Sequence, residues 1–89
     1  MKEVTVIDVR DRDELASGMI DGAVSLPTSE IGGRLGKLDL SRPVVAVCRS
    51  GGRSASVTIA LTEAGFACDT MVGGMIQWAA EGLPVTRPR

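Results

Sequence analysis

Short apolar runs alternate along this chain with amphipathic segments. Residues 4–9 are almost all β-branched or apolar, and Val44–Val47 follow Pro43 with no polar alternation. Both runs are typical of strands that are covered on both faces. Shorter strands are predicted at residues 23–26, which Pro27 ends, and at residues 66–72. Before that last strand, apolar side chains recur at helical spacing within residues 53–64, at Val57, Ala60, Leu61 and Ala64.

Capping residues mark where the predicted helices begin and end. Asp11 has the character of an N-cap for a short helix that ends near Ser17, and Gly65 stands where the long helix needs a C-cap. Thr28 or Ser29 would cap a helix over residues 30–37, which its three glycines weaken, and a last helix is predicted over residues 75–80. Residues 86–89 are predicted to be a frayed tail. This alternation indicates an α/β fold, a small parallel sheet of about four to five strands flanked by helices.

Length and composition narrow the classes of function. With 89 residues the chain is expected to form a single domain over residues 1–89. No apolar run approaches the roughly 18 residues of a membrane span, so no membrane partner is expected. The absence of histidine excludes His-based catalysis and His-ligated metals. A net charge of −1, one Phe, one Trp and no Tyr argue against a nucleic-acid partner. Two cysteines give no disulfide framework, so a cytoplasmic location is expected.

Cys48 is the candidate catalytic residue because it directly follows the strongest predicted strand and precedes a predicted helix. Ligands of parallel α/β sheets bind beyond the carboxyl ends of the strands. The positive end of the helix dipole, the backbone N–H groups of a glycine-rich turn, and the cations of Arg49 and Arg53 should all favour a thiolate. The competing interpretation is a buried cysteine that only finishes a strand. Packing alone does not explain two arginines and two glycines within five residues, which favours a functional thiolate.

Residues 48–54, of sequence Cys-Arg-Ser-Gly-Gly-Arg-Ser, resemble the active-site loop of rhodanese-type sulfurtransferases. The resemblance extends over almost the whole chain in several separate motifs in the same order. Its opening part covers residues 7–10, Glu14, residues 18–20, 22–23 and 26–27, and its closing part covers residues 64–66, 73–75, Trp78 and residues 82–85. Met19 departs from the pattern, since many members have His there. The resemblance implies a rhodanese-like fold with the active-site loop at the end of a strand.

The resemblance also implies a mechanism and a set of site residues. Cys48 would take the sulfane sulfur of thiosulfate as a persulfide and pass it to a thiol or to cyanide, without a cofactor. Arg49 and Arg53 would bind the anionic donor. Asp8 and Arg10, at the end of the first strand, would brace the loop. The substrate-binding residues implied are those of the whole loop, Arg49, Ser50, Gly51, Gly52, Arg53 and Ser54.

Three other functions remain open at this point. A sulfur-relay or regulatory domain of a larger protein would use the same cysteine with a protein donor or acceptor. A binding module without activity is disfavoured because such modules commonly lack the loop cysteine, and a phosphatase because its Cys and Arg would stand one residue further apart. Cys68 is expected in the core rather than as a resolving thiol, and Trp78 is expected to pack the last helix on the sheet.

Overall fold

The computed structural model describes residues 3–88, which form a four-stranded parallel sheet flanked by helices. The spatial order is β2-β1-β3-β4, so the two central strands are β1 and β3. This confirms the predicted α/β class. The strands are β1 (Thr5–Asp8), β2 (Val24–Ser25), β3 (Val44–Val47) and β4 (Cys68–Thr70), and the α-helices are α1 (Ile31–Arg34), α2 (Gly52–Glu63) and α3 (Gly74–Ala80).

The core lies around the two central strands. Ile7 and Ala46 are paired across β1 and β3 and are fully buried, in keeping with strands that have no polar face. Helix α2 covers this sheet with Val57 and Leu61. The predicted stripe was wrong at Ala60 and Ala64, which are exposed. The buried stripe of α2 instead begins one turn earlier, at Ser54, and this places a polar side chain under the Cys48 loop.

The end of α2 follows the sequence prediction closely. The N–H of Gly65 donates to the carbonyl of Thr62, and the N–H of Phe66 donates to that of Leu61, at 3.1 and 3.0 Å. These are the two hydrogen bonds of a Schellman motif, and Gly65 has the positive φ, +99°, that such a cap requires. Phe66 is buried in the core, so it links the end of the helix to the sheet before β4 begins.

Several local predictions need correction. The first helix is a 3-10 turn over Arg12–Ser17, in which the N–H of Asp11 donates to Glu14. The predicted helix over residues 30–37 is divided into a 3-10 turn, the single turn α1 and a second 3-10 turn, and neither Thr28 nor Ser29 caps it. Three glycines in seven residues explain this, because glycine is a poor helix former.

The predicted frayed tail is anchored over part of its length. Thr86 exchanges two backbone hydrogen bonds with Met19, at 2.7 and 2.8 Å, as an antiparallel bridge. The guanidinium of Arg87 donates to the carbonyl of Ala16. Arg89 lies outside the described residues. Within residues 3–88, no helix has the length and apolar character needed to cross a membrane.

Candidate active site

Cys48 directly follows β3 and begins the loop that passes into α2 at Gly52. Hydrogen bonding between the central strands continues to this point, because the N–H of Val9 donates to the carbonyl of Val47 at 2.8 Å. Cys48 is only 1% exposed, so the loop wraps closely around its side chain. The thiol therefore lies at the carboxyl edge of the sheet, where the sequence placed it.

The sulfur of Cys48 accepts a hydrogen bond from the N–H of Gly51, and the Cys48 thiol donates one to the hydroxyl oxygen of Ser54. The N–H of Gly51 lies 3.0 Å from Sγ, and the Ser54 hydroxyl oxygen lies 3.4 Å from it. Burial raises the pKa of Cys48, but hydrogen bonds from the Ser54 side chain and from the backbone of Ser54, Gly51 and Ser50 outweigh burial and leave the pKa below its ordinary value. The geometry therefore favours a thiolate. Gly51 has a φ of +114° at the N-cap of α2, a conformation that favours glycine.

Ser54 connects the sulfur to β4, a contact that the sequence analysis missed. The Ser54 side chain is fully buried, and its hydroxyl makes a short hydrogen bond with the hydroxyl of Thr70. The Ser54 hydroxyl donates to the carbonyl of Gly51 at 3.1 Å, and when the sulfur is ionised it can donate this single proton to Sγ instead while accepting one from Thr70. The available signal was that Thr70 lies near the carboxyl end of the strand predicted over residues 66–72, although β4 itself ends at Thr70.

The start of α3 holds the loop from the other side. The N–H groups of Met75 and Ile76 donate to the carbonyls of Cys48 and Arg49, at 2.9 and 3.0 Å. Gly74 comes so close that a Cβ there would lie 2.5 Å from the Cys48 carbonyl oxygen. These contacts fix the first two carbonyls of the loop toward the start of α3. In the sequence, Gly73 and Gly74 indicate the start of the last helix and fit the family pattern, but they give no sign of this contact with the loop.

Arg53 is held by a residue from the first 3-10 turn. Its two terminal nitrogens lie 2.6 and 2.9 Å from the two carboxylate oxygens of Glu14, a bidentate ion pair. The hydrogen bond from Arg53 lowers the pKa of Glu14 to about 2 against a smaller opposing effect of burial. Glu14 was noticed in the sequence only as part of the family pattern, so its place beside the loop is a third omission.

Arg49 differs from Arg53 in having no partner. Its side chain is exposed, and within residues 3–88 it makes no ion pair or hydrogen bond. It borders an open cleft of about 890 Å³ between the first 3-10 turn and α3. The two loop arginines, which are equivalent in the sequence interpretation, therefore differ in the structure, because Arg53 is paired with a carboxylate and Arg49 is not. The other side chains of the cleft are largely apolar along α3 and the segment after it, and include Met75, Ile76, Ala79, Leu83 and Val85.

Asp8 and Arg10 pair with each other rather than with the loop. Both are buried, and two nitrogens of Arg10 lie 2.9 and 2.7 Å from the Asp8 carboxylate oxygens. Arg10 also donates to the carbonyl of Gly18 at 2.9 Å and to that of Glu14 at 3.4 Å. The pair thus holds the 3-10 turn that carries Glu14, and its bracing of the loop is indirect.

The remaining candidates lie apart from the sulfur. Cys68 begins β4, where burial raises the pKa of its thiol and its neighbour is the Thr58 hydroxyl. Trp78 is half-buried and its indole N–H donates to the carbonyl of Pro84, so it anchors the C-terminal segment. Among residues 3–88, no group of three or more cysteine and acidic side chains is placed to hold a metal ion.

Comparisons with known proteins agree with this arrangement. The family model for the rhodanese-like domain matches residues 1–81. A protein named sulfurtransferase from Allochromatium vinosum is 38% identical over 88 residues, which cover 98% of this chain and 82% of that protein. The thiosulfate sulfurtransferase GlpE of Shewanella oneidensis is 35% identical over 78 residues, covering 86% of this chain and 77% of that protein.

A solved structure of a related protein has the same fold. The rhodanese-related protein from Thermoplasma volcanium is 32% identical and superimposes with a TM-score of 0.90, over 93% of this chain and 83% of that one. The fold and the sequence pattern around the cysteine loop therefore indicate the same family. On this evidence the chain belongs to the family of rhodanese-like domains.

Proposed function

We propose that this domain transfers sulfane sulfur through a persulfide on Cys48. The observation that carries the proposal is the backbone N–H of Gly51 at 3.0 Å from Sγ, within a loop that lowers the pKa of the thiol. A thiolate is the nucleophilic form of cysteine, and a buried one needs donors around it. The named sulfurtransferases among its relatives support the same chemistry.

The first step forms a bond between Sγ of Cys48 and the outer sulfur of the donor. With thiosulfate, the bond between the two donor sulfurs breaks and its electron pair leaves with sulfite, so thiolate and thiosulfate become persulfide anion and sulfite. We assign the binding of the sulfonate group to Arg49, since it is an exposed cation within the loop. The persulfide extends the reactive atom by one S–S bond, about 2 Å.

The second step returns Cys48 to its starting state. An acceptor, cyanide or a thiolate, attacks the outer sulfur of the persulfide, and the bond to Sγ breaks with its electron pair returning to Cys48. With cyanide the product is thiocyanate, and with a thiolate it is a new persulfide. In both steps the negative charge on the sulfur is stabilised by hydrogen-bond donors, which are the N–H groups of the loop and the hydroxyl of Ser54.

Intact-protein mass spectrometry tests this proposal. Incubation with thiosulfate should add roughly 32 Da, one sulfur atom, to Cys48, and cyanide should remove it. Cys48→Ser should show no gain, and Cys68→Ser should load normally as the matched cysteine control. Loading on Cys68, or none in the wild type with any sulfane donor, would contradict the assignment.

A sulfur-relay role with a protein partner is the second candidate, and the cleft beside Arg49 favours it. Ile76 and Val85 line this cleft and are 51% and 42% exposed, so an apolar surface adjoins the loop. A cysteine-bearing segment of a partner could cover that surface while its thiol reaches the persulfide.

Transfer kinetics separate the relay role from small-molecule transfer. Ile76→Asp should slow transfer from the Cys48 persulfide to a protein thiol while transfer to cyanide stays unchanged. Ile59→Asp is the control, because Ile59 is 63% exposed on α2 and does not line the cleft. Equal rates in both variants with every acceptor would refute the relay role.

A further inference from the structure

The net positive charge around the loop is smaller than its two arginines alone would give. The guanidinium of Arg53 is occupied by Glu14 through two hydrogen bonds, at 2.6 and 2.9 Å. The carboxylate therefore cancels one of the two cations that the sequence offered to an anionic donor. Arg49 is the loop cation that keeps its charge without a partner among the described residues.

Arg53 is also close enough to the sulfur for its charge to matter. The negative charge of the ionised Cys48 contributes to raising the pKa of Arg53, after the larger effects of Glu14 and against burial. Arg53 stands in the first turn of α2, whose N-terminus lies at the sulfur. Any group that changes the charge near Arg53 therefore changes the potential that a donor meets at Cys48.

We propose that Glu14 is a specificity-determining residue, which neutralises Arg53 and thereby favours donors with one negative charge over the dianion thiosulfate. Donors of that class are alkyl persulfides and thiosulfonates, whose outer sulfur is transferred in the same way. This inference rests on the proposed sulfur transfer and names its preferred donor class. Glu14 acts through Arg53, so it is a positioning residue rather than a catalytic one.

The two donors of the test differ in charge and share the reacting atom. Thiosulfate carries two negative charges and releases sulfite, whereas methanethiosulfonate carries one and releases methanesulfinate. In each reaction the Cys48 thiolate forms a bond to the outer sulfur, and the electron pair of the broken S–S bond goes to the leaving group. Each donor's own wild-type rate serves as its reference, so the different leaving groups cancel.

Glu14→Gln is the variant that removes the charge and keeps the shape. Coulomb energy scales with the charge of the donor, so kcat/KM for Cys48 loading should rise about twofold with methanethiosulfonate and about fourfold with thiosulfate, mainly through KM. Both gains should shrink as salt is added, because these charges are partly exposed. Glu63→Gln is the control, since it removes one carboxylate ten residues further along α2, about 15 Å from Arg53.

The pH profile supplies a second check on the charge of Glu14, beside the donor-charge and salt dependence that separate its role from a merely structural one. The pKa of Glu14 is about 2, so Glu14 stays ionised throughout the neutral range. The gains of Glu14→Gln should therefore be constant from about pH 5 upward, apart from the shared titration of Cys48. A gain that appeared only near the pKa of Cys48 would overturn the proposal.

The possible outcomes are distinguishable. Loading of the wild type by neither donor would defeat the proposed function itself. Loading by both, with Glu14→Gln changing the two donors equally, reducing thiosulfate loading, or matching Glu63→Gln, would overturn only the role of Glu14. If Glu14→Gln fails to fold, Arg53→Gln gives the converse test, because it leaves the Glu14 charge uncompensated and must then weaken thiosulfate more than methanethiosulfonate.

Discussion

Gly74→Ala is the substitution that most directly tests how the loop is held. Gly74 begins α3 with a φ of +56°, and its Cα faces the backbone of Cys48 and Arg49. A Cβ at this position would lie 2.5 Å from the Cys48 carbonyl oxygen and 2.6 Å from that of Arg49. Both atoms belong to the backbone, so neither can move aside without displacing the loop.

Two effects add in this variant, and the chain offers a control that separates them. The left-handed conformation costs an alanine about 1–2 kcal/mol relative to glycine, offset by about 0.4–1 kcal/mol from a stiffer unfolded chain. The collision adds about 1–3 kcal/mol, as overpacking in a tight contact usually does. Gly22 also has a positive φ, +82°, but nothing lies within 4 Å of its would-be Cβ, so Gly22→Ala carries only the first effect.

Urea unfolding and cysteine alkylation measure the two consequences. Gly74→Ala should lower the free energy of unfolding by roughly 3 kcal/mol, and Gly22→Ala by roughly 1 kcal/mol or less. In Gly74→Ala the rate of Cys48 alkylation at neutral pH should also fall, because a displaced loop no longer directs its N–H groups at Sγ. Equal destabilisation in both variants with unchanged alkylation would refute the view that α3 sets the loop geometry.

Three further predictions concern single side chains around the site. Ser54→Ala should raise the pKa of Cys48 toward its ordinary value, because it removes a hydrogen bond to the sulfur, and the ultraviolet absorbance of the thiolate against pH measures it. Cys68→Ser should leave cyanide-coupled turnover unchanged, and a large loss would revive the resolving-thiol interpretation. Asp8→Asn should lower the free energy of unfolding by about 3 kcal/mol or more in urea titrations, because it leaves the buried guanidinium of Arg10 without its anion.

The fold could be predicted from the sequence because its strong signals are local. Val44–Val47 form a strand as expected, since an unbroken apolar run has no polar face to expose. The helix boundaries around residues 30–37 were harder to predict, because glycine weakens a helix but does not determine where it breaks into separate turns. The stripe of α2 was misplaced because alanine is compatible with both buried and exposed faces, whereas Ser54 is buried for its contact with Cys48.

Only the contiguous part of the candidate site could be predicted in the same way. Cys48 and its loop follow one another in the chain, so a motif places them together, but the groups that complete the loop come from distant segments. Glu14 lies 39 residues from its partner Arg53, and Thr70 lies 16 residues from Ser54. Spacing along the chain does not encode such pairings; the topology does, because parallel strands bring their carboxyl ends to one edge.

The pairing of Glu14 with Arg53 shows why this distinction matters for function. Counted along the sequence, the loop has two arginines and suits a dianion, whereas in the structure one guanidinium is already bound to a carboxylate and the other is exposed beside a cleft. Donor preference depends on the potential at the sulfur, which every charge nearby determines together. A loop motif therefore supports the class of reaction, whereas the proposed donor preference depends on the residues that the fold packs against the loop.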